Sequence, residues 1–420
     1  MHSVNSRSGA FAPDFTCVFL REIKVIPVRY RILCIYSGML ALTQYEWMRF
    51  APITDQVSTQ YGITYGEVGS LSLAVTALAL PLALPSGGLI DRISVQTALR
   101  ITAIAMLLAA LIRVLQPHYE YLLAGQLLFG FVQPLTMSLL VKLMITWFSE
   151  DEHVRVTTLF STVIFLGIGS AFMIVPLTEE GNVSSSLLID VAILGLIALL
   201  TFIYVPRDGP LVQTTSAPTK SGGHLLAEGI DLLRTAPFTA VLLMIFLTNG
   251  YFSAITTWLE PILLRQGIDA QVSGFIVVLM LAGGIAGMTF MPLLVRSGAS
   301  VGGILSGVSL LAGGGTVLLF TSGSPWILSL AGIVIGAALL SPLPLLLQLI
   351  ADTAGLSRSG TATSIFWLVG NIGATIMIAT LGVIADHGDW GMAAVLLCLV
   401  LVVQITISLM GFRMVGARTT

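Results

Sequence analysis

The chain is 420 residues long, 56% hydrophobic and only 10% charged, with a formal net charge of −2 at pH 7. Ordinary soluble domains carry roughly 25% charged residues, and no soluble fold of this length buries so much apolar surface. Lipid is therefore the solvent, and the class is an integral membrane protein. The near-neutral balance excludes nucleic acid and other polyanions as partners. Cys17, Cys34 and Cys398 are far apart and form no CxxC pair, so they read as small apolar side chains, with neither disulfide nor metal expected.

Residues 1–32 are mixed and basic, with Arg21, Lys24, Arg29 and Arg31. They lack the apolar core and small-residue cleavage site of a removable signal peptide, and a cytoplasmic tail is expected. A span needs about 20 apolar residues. Windows of that length place helices near 33–53, 65–86, 98–116, 121–147, 156–177, 187–205, 237–262, 271–295, 302–320, 325–350, 360–384 and 391–412. The spans form two six-helix halves, 33–205 and 237–412, joined by a linker over 206–236. That linker holds Arg207-Asp-Gly-Pro, a Thr/Ser/Lys/Gly run and an amphipathic piece from His224 to Arg234. A short tail, 413–420, follows the last span.

With the amino terminus inside, every Lys and Arg except Arg49, Arg113 and Arg265 falls on a cytoplasmic tail, loop or helix end. This bias puts both termini and the linker in the cytoplasm, with the plasma (cell inner) membrane as the expected location. The halves also repeat. Gly62-Ile63 before the second span is answered by Gly267-Ile268 before the eighth. Arg155 and Thr158 after the fourth are answered by Arg358 and Thr361 after the tenth, and Gly167 by Gly370. The expectation is an all-α polytopic membrane protein of twelve transmembrane helices in two parallel six-helix repeats.

The loop after the second span reads Gly87-Gly-Leu-Ile-Asp91-Arg92. This resembles the signature of the major facilitator superfamily, although Ser94, Val95 and Gln96 stand where glycine and basic residues are usual. The resemblance implies the major facilitator fold, with Asp91 facing the positive end of the eleventh helix and Arg92 and Arg155 completing a gate. A narrower similarity rests on Trp47 ahead of Tyr61-Gly-Ile, Gly125-Gln126 with Gln133-Pro134, Trp147-Phe148, and Gly360-Thr-Ala-Thr followed by Gly370-Asn-Ile-Gly. These residues are similar to the feline leukaemia virus subgroup C receptor family, which moves choline, ethanolamine or related small solutes, with haem export also proposed. The likeness implies a cavity using Trp47 and Gln133, with Phe252 and Asn371 standing where that family has Tyr and Gln.

Positions i, i+4, i+7 and i+11 share a helix face. The face of Trp47 holds Thr43, Gln44 and Thr54, a polar stripe around an aromatic whose π face suits a cation. Glu46 and Arg49 lie about 100° and about 160° off that face. Being three residues apart, they are expected to pair, as a brace of the first span or as a coupling pair. Asn249, Ser253, Thr256 and Glu260 make a stripe on the seventh span, with Glu260 near the outer end. Trp367 and Asn371 continue the pattern on the eleventh, and Gln126 with Gln133 on the fourth. Polar stripes at membrane depth face a cavity or another polar helix.

There is no Gly-x-x-x-x-Gly-Lys-Ser/Thr motif to power transport by ATP, and the five histidines lie in tails, loops or the linker without metal-ligand spacing. No cofactor is expected, and nothing resembles an enzyme's nucleophile or paired carboxylates. The expected function is transport of a small organic solute, a choline-like amine first, by a monomer in the bilayer. A proton-coupled carrier of an organic anion and a non-transporting receptor of the same fold are the competing readings.

Overall fold

The computed structural model describes residues 27–115, 117–178, 182–206, 235–296, 298–354 and 359–412. Most of the basic tail, most of the linker, Arg358 and the last eight residues lie outside it. The described residues form helices α1 Val28–Trp47, α2 Thr54–Tyr61, α3 Tyr65–Arg92, α4 Val95–Val114, α5 Tyr119–Trp147, α6 Glu150–Thr178 and α7 Val183–Tyr204. The second half holds α8 Ala236–Leu264, α9 Ala270–Arg296, α10 Val301–Thr321, α11 Pro325–Leu340, α12 Pro342–Ala354, α13 Ser359–Asp386 and α14 Trp390–Gly411. Among the described residues, 11 helical runs are long and apolar enough to cross a membrane. The more polar α1, which begins the first span expected from the sequence, is not among these 11.

Two spans are discontinuous where the sequence suggests single helices. The first stops at Trp47 and resumes through a 3-10 turn, Ala51–Ile53, into α2. The tenth breaks at Ser341 between α11 and α12. Pro52 and Pro342 sit at these breaks, where a missing N–H and a ring clash end the regular ladder.

The two halves use the same pairings. Span one packs on five, two on four, and three on four and six; in the second half, seven packs on eleven, eight on ten, and nine on ten and twelve. Turn chemistry repeats as well. Gly62 and Gly267 take φ of 65° and 78°, and Ile63 and Ile268 then donate their N–H groups to the carbonyls of Ser58 and Leu263. This is the left-handed glycine closure of a helix, which a side chain would strain. A Cβ on Gly167 would lie 2.3 Å from the Ala41 carbonyl oxygen, and one on Gly373 2.1 Å from that of Phe246. Small residues thus bring span five onto one and eleven onto seven. A Cβ on Gly370 would also be tight, 3.1 Å from Ile245 Cγ1, whereas one on Gly169 would meet Leu281 Cδ1 at an ordinary 3.5 Å.

The halves meet through α3 with α13 and through α6 with α9. The close contacts between them lie at one end, called the gate end, which carries the turns near residues 48–64, 265–269 and 387–389. There Gly274 packs on the Phe172 carbonyl, and the Trp258 ring lies against Gly69 and Gly382. Towards the termini end, Leu89, Arg92, Arg155, Thr158, Ser161, Ser364 and Trp367 are exposed. Contact between the halves is thus close at the gate end, and these residues of the helices that join them are uncovered at the other.

Candidate functional site

The break in the first span is built from named hydrogen bonds. Pro52 cannot donate to the Met48 carbonyl, so Ala51 does, at 3.1 Å, tightening the chain into the 3-10 turn. The carbonyls of Glu46 and Trp47 thereby lose their helical donors. Gln126 Nε2 donates to Glu46 at 3.1 Å, and Ser72 Oγ to Trp47 at 3.3 Å. Irregular backbone at membrane depth persists where protein re-satisfies it in this way. Gln126, a substrate candidate from its stripe, is fully buried and tied to this backbone.

Glu46 and Arg49, expected to pair with each other, each find a partner on another helix. Glu46 instead meets Arg113 of α4 at 2.7 Å, and Arg49 Nε meets Asp190 of α7 at 2.6 Å. Arg49 also donates to Ser186 Oγ, and Tyr45 donates to Asp190 Oδ1 at 3.2 Å. The reason is local: the helix ends at Trp47, so Arg49 has left the frame in which i and i+3 are neighbours. The four charges are buried within the first half, with Phe50 5.9 Å from both guanidinium carbons and Phe129 5.0 Å from that of Arg113. Sequence reasoning passed over Asp190 and treated Arg113 only as an exception to the charge bias. The signal for both was present, since an ionisable side chain inside an apolar span needs a partner.

Around Trp47 the expected stripe divides. The Trp47 ring is half-buried, with an indole N–H that is buried and has no hydrogen-bond partner. Thr43 donates to the Met39 carbonyl at 2.7 Å and reaches Met106 Sδ at 4.0 Å, which turns it into α4. Gln44 is buried with its Cβ under α6, near Gly167, and its Nε2 has no partner. Thr54 donates to the Ala51 carbonyl at 3.1 Å. Gln133 is half-buried on α5.

On α8, Asn249 donates to the Gly370 carbonyl at 2.9 Å and so ties the seventh span to the eleventh. Ser253, Thr256 and Phe252 are buried, and Thr256 donates back to the Phe252 carbonyl at 2.8 Å. Asn371 is half-buried, whereas Trp367 is exposed with its ring edge-on to Phe366.

The stripe ends at the gate. Glu260 Oε2 accepts from the Asp55 backbone N–H at 3.3 Å, across the two halves. Asp386 Oδ1 accepts from the Gly66 N–H at 2.6 Å, also across the halves. Both N–H groups belong to the first turn of a helix, α2 and α3, where the positive end of the macrodipole favours a carboxylate. Gly66 is needed here, since a Cβ would lie 2.2 Å from Asp386 Oδ2. Tyr65 donates to Asp55 at 2.6 Å beside them. Asp91 and Arg92 close α3 at the opposite end, and Arg92 and Arg155 are exposed there. The side chain of Asp91 lies outside the described residues, and the carboxylates seen to join the halves, Glu260 and Asp386, stand at the opposite end.

Comparison with known proteins agrees with this architecture. The Major Facilitator Superfamily profile matches residues 36–378. The chain is 24% identical to Solute carrier family 49 member A3 of Xenopus tropicalis, over 58% of this chain and 53% of that relative. It is 23% identical to the Choline/ethanolamine transporter FLVCR2 of Rattus norvegicus, over 61% of this chain and 51% of that protein. These alignments span about half the length of each relative. The solved nucleoside transporter NupG superposes with a TM-score of 0.75 at 12% identity, covering 92% of this chain and 100% of NupG. A bacterial homolog to the human lysosomal transporter Spinster, inward-facing and unoccupied, superposes at 0.73 and 13% identity, over 94% and 98% of the two chains. With its spanning helices in a parallel repeat and a profile match over most of its length, the chain belongs to the Major Facilitator Superfamily as a multi-pass membrane protein.

Proposed function

We propose that the protein carries a small organic solute across the membrane by alternating access, the halves 33–205 and 237–412 rocking about a site between them. One observation carries this reading. The two halves are latched at one end by groups that a rigid-body motion can part, while their facing stretches stand uncovered at the other. The positive-inside bias supports cytoplasmic termini, which makes this an inward-facing state in a cell membrane. A monomer suffices for such a cycle, and no catalytic step or cofactor enters it.

A choline-like amine is the first choice of cargo. The support is Trp47, an aromatic at the break in the first span with an unpartnered indole, together with the choline and ethanolamine transport named for relatives. Asn249, Phe252, Ser253, Thr256, Asn371 and Gln133 are the candidate walls of the path. Arg49 counts against the anion reading, because its pairing with Asp190 holds it inside the first half. Proton coupling keeps one support: Glu260 sits on the latch that must part in each cycle.

The test is uptake of radiolabelled choline and ethanolamine into vesicles reconstituted with the purified chain. Saturable uptake competed by unlabelled amine is the expected result. No flux of any amine, with flux of carboxylates driven by an acid-outside gradient, would replace the amine reading by the proton-coupled one. No flux of any solute would leave the receptor reading.

A further inference from the structure

A recess lies between α1, α6 and α7, all within the first half and so apart from the cleft between the halves. It encloses about 100 Å³, room for ~three water-sized groups. Its polar floor is made by Tyr45, Glu46, Ser186 and Asp190. Its mouth is framed by Ile174, Ile189 and Ile193, which are 45%, 43% and 40% exposed. Exposed isoleucines on spanning helices meet acyl chains, so the recess opens towards lipid.

The floor asks for a hydrogen-bond donor. Glu46 is fully buried, its Oε2 lies 2.7 Å from Arg113, and its Oε1 has no hydrogen-bond partner. A buried acceptor without a donor is costly. The floor is already neutral, because Glu46 and Asp190 are matched by Arg113 and Arg49. An entering ammonium would bring an uncompensated charge into a low-dielectric site, whereas a hydroxyl supplies the donor without one. Asp190 lies seven residues into α7, about 10 Å below its start, and the volume is small. That depth places the floor below the level of phospholipid headgroups.

We propose that this recess binds the hydroxyl head of a neutral single-chain membrane amphiphile, a long-chain alcohol or monoacylglycerol, whose chain leaves past the isoleucines into the bilayer. The test uses the full chain in nanodiscs containing a diazirine-bearing hexadecanol, irradiated and mapped by peptide mass spectrometry. Labelling should concentrate on residues 42–46, 170–178 and 186–193. Excess monoacylglycerol should reduce it about tenfold, and hexadecyltrimethylammonium should not. Ile189→Trp, which fills the mouth from the lipid side and leaves the ion pairs untouched, should reduce it as strongly. Labelling spread evenly over all lipid-facing helices, undiminished labelling in I189W, or equal competition by the ammonium surfactant would each overturn the assignment. The competition experiment on the unaltered chain stands even if the variant folds poorly.

Discussion

Trp47 is the residue whose removal tests the cargo most directly. A cation held over a desolvated indole gains up to about 2 kcal/mol, so Trp47→Ala should raise the KM for choline about thirtyfold. Uptake assays across a concentration series measure this, and an unchanged KM would remove Trp47 from the site. The buried charges call for a different measurement. Arg113→Leu leaves Glu46 without its partner and should destabilise the protein by about 3–5 kcal/mol, and the double variant with Glu46→Leu should recover most of that loss. Thermal unfolding of the three variants in detergent forms the cycle. If the double variant is as unstable as the sum of the single ones, the pair is not coupled. Residue identities were legible here, because charges in apolar spans announce themselves. Partner choice was not, because helical spacing paired Glu46 with Arg49 across a helix end that the sequence alone left continuous.

Pro52 breaks the first span, and its effect reaches beyond the turn because two carbonyls then need donors from other helices. Gln126→Leu should cost about 1–3 kcal/mol through the orphaned Glu46 carbonyl, and slower exchange of choline is expected as the backbone next to Trp47 loses one of its two anchors. The gate is the other element-scale feature. Gly66→Ala places a Cβ where the Asp386 carboxylate sits, so it should weaken the contact between α3 and α13 and populate a state open at the gate end. Alkylation of a cysteine introduced at Ser253, buried in the present state, should then quicken with a membrane-impermeant reagent applied from the gate side. An unchanged rate would show that the Asp386 contact does not hold the gate. The sequence marked Gly62 and Gly267 as a repeat, and both adopt the same left-handed closure. It did not mark Gly66 or Asp386, since nothing local distinguishes a glycine opposite a carboxylate some 320 residues away.

For the whole molecule, alternating access requires the gate end to open in every cycle. A disulfide between Gly66→Cys and Asp386→Cys should abolish vesicle uptake, and reductant should restore it. Uptake that persists in the oxidised protein would sink the rocking mechanism. The same vesicles under an imposed pH gradient decide whether Glu260 carries protons, with indifference to the gradient leaving a uniporter. Composition and periodicity within single helices were enough to read the lipid solvent, the all-helical class and the parallel repeat. The sequence also nominated the aromatic and polar residues on the spans that face one another. The meetings themselves come from the packed helices: Glu46 with Arg113, Arg49 with Asp190, Gln126 with backbone, and Glu260 and Asp386 with helix ends across the halves. Those choices depend on where helices stop and how they cross, which is set by packing between segments far apart in the chain and leaves no local trace.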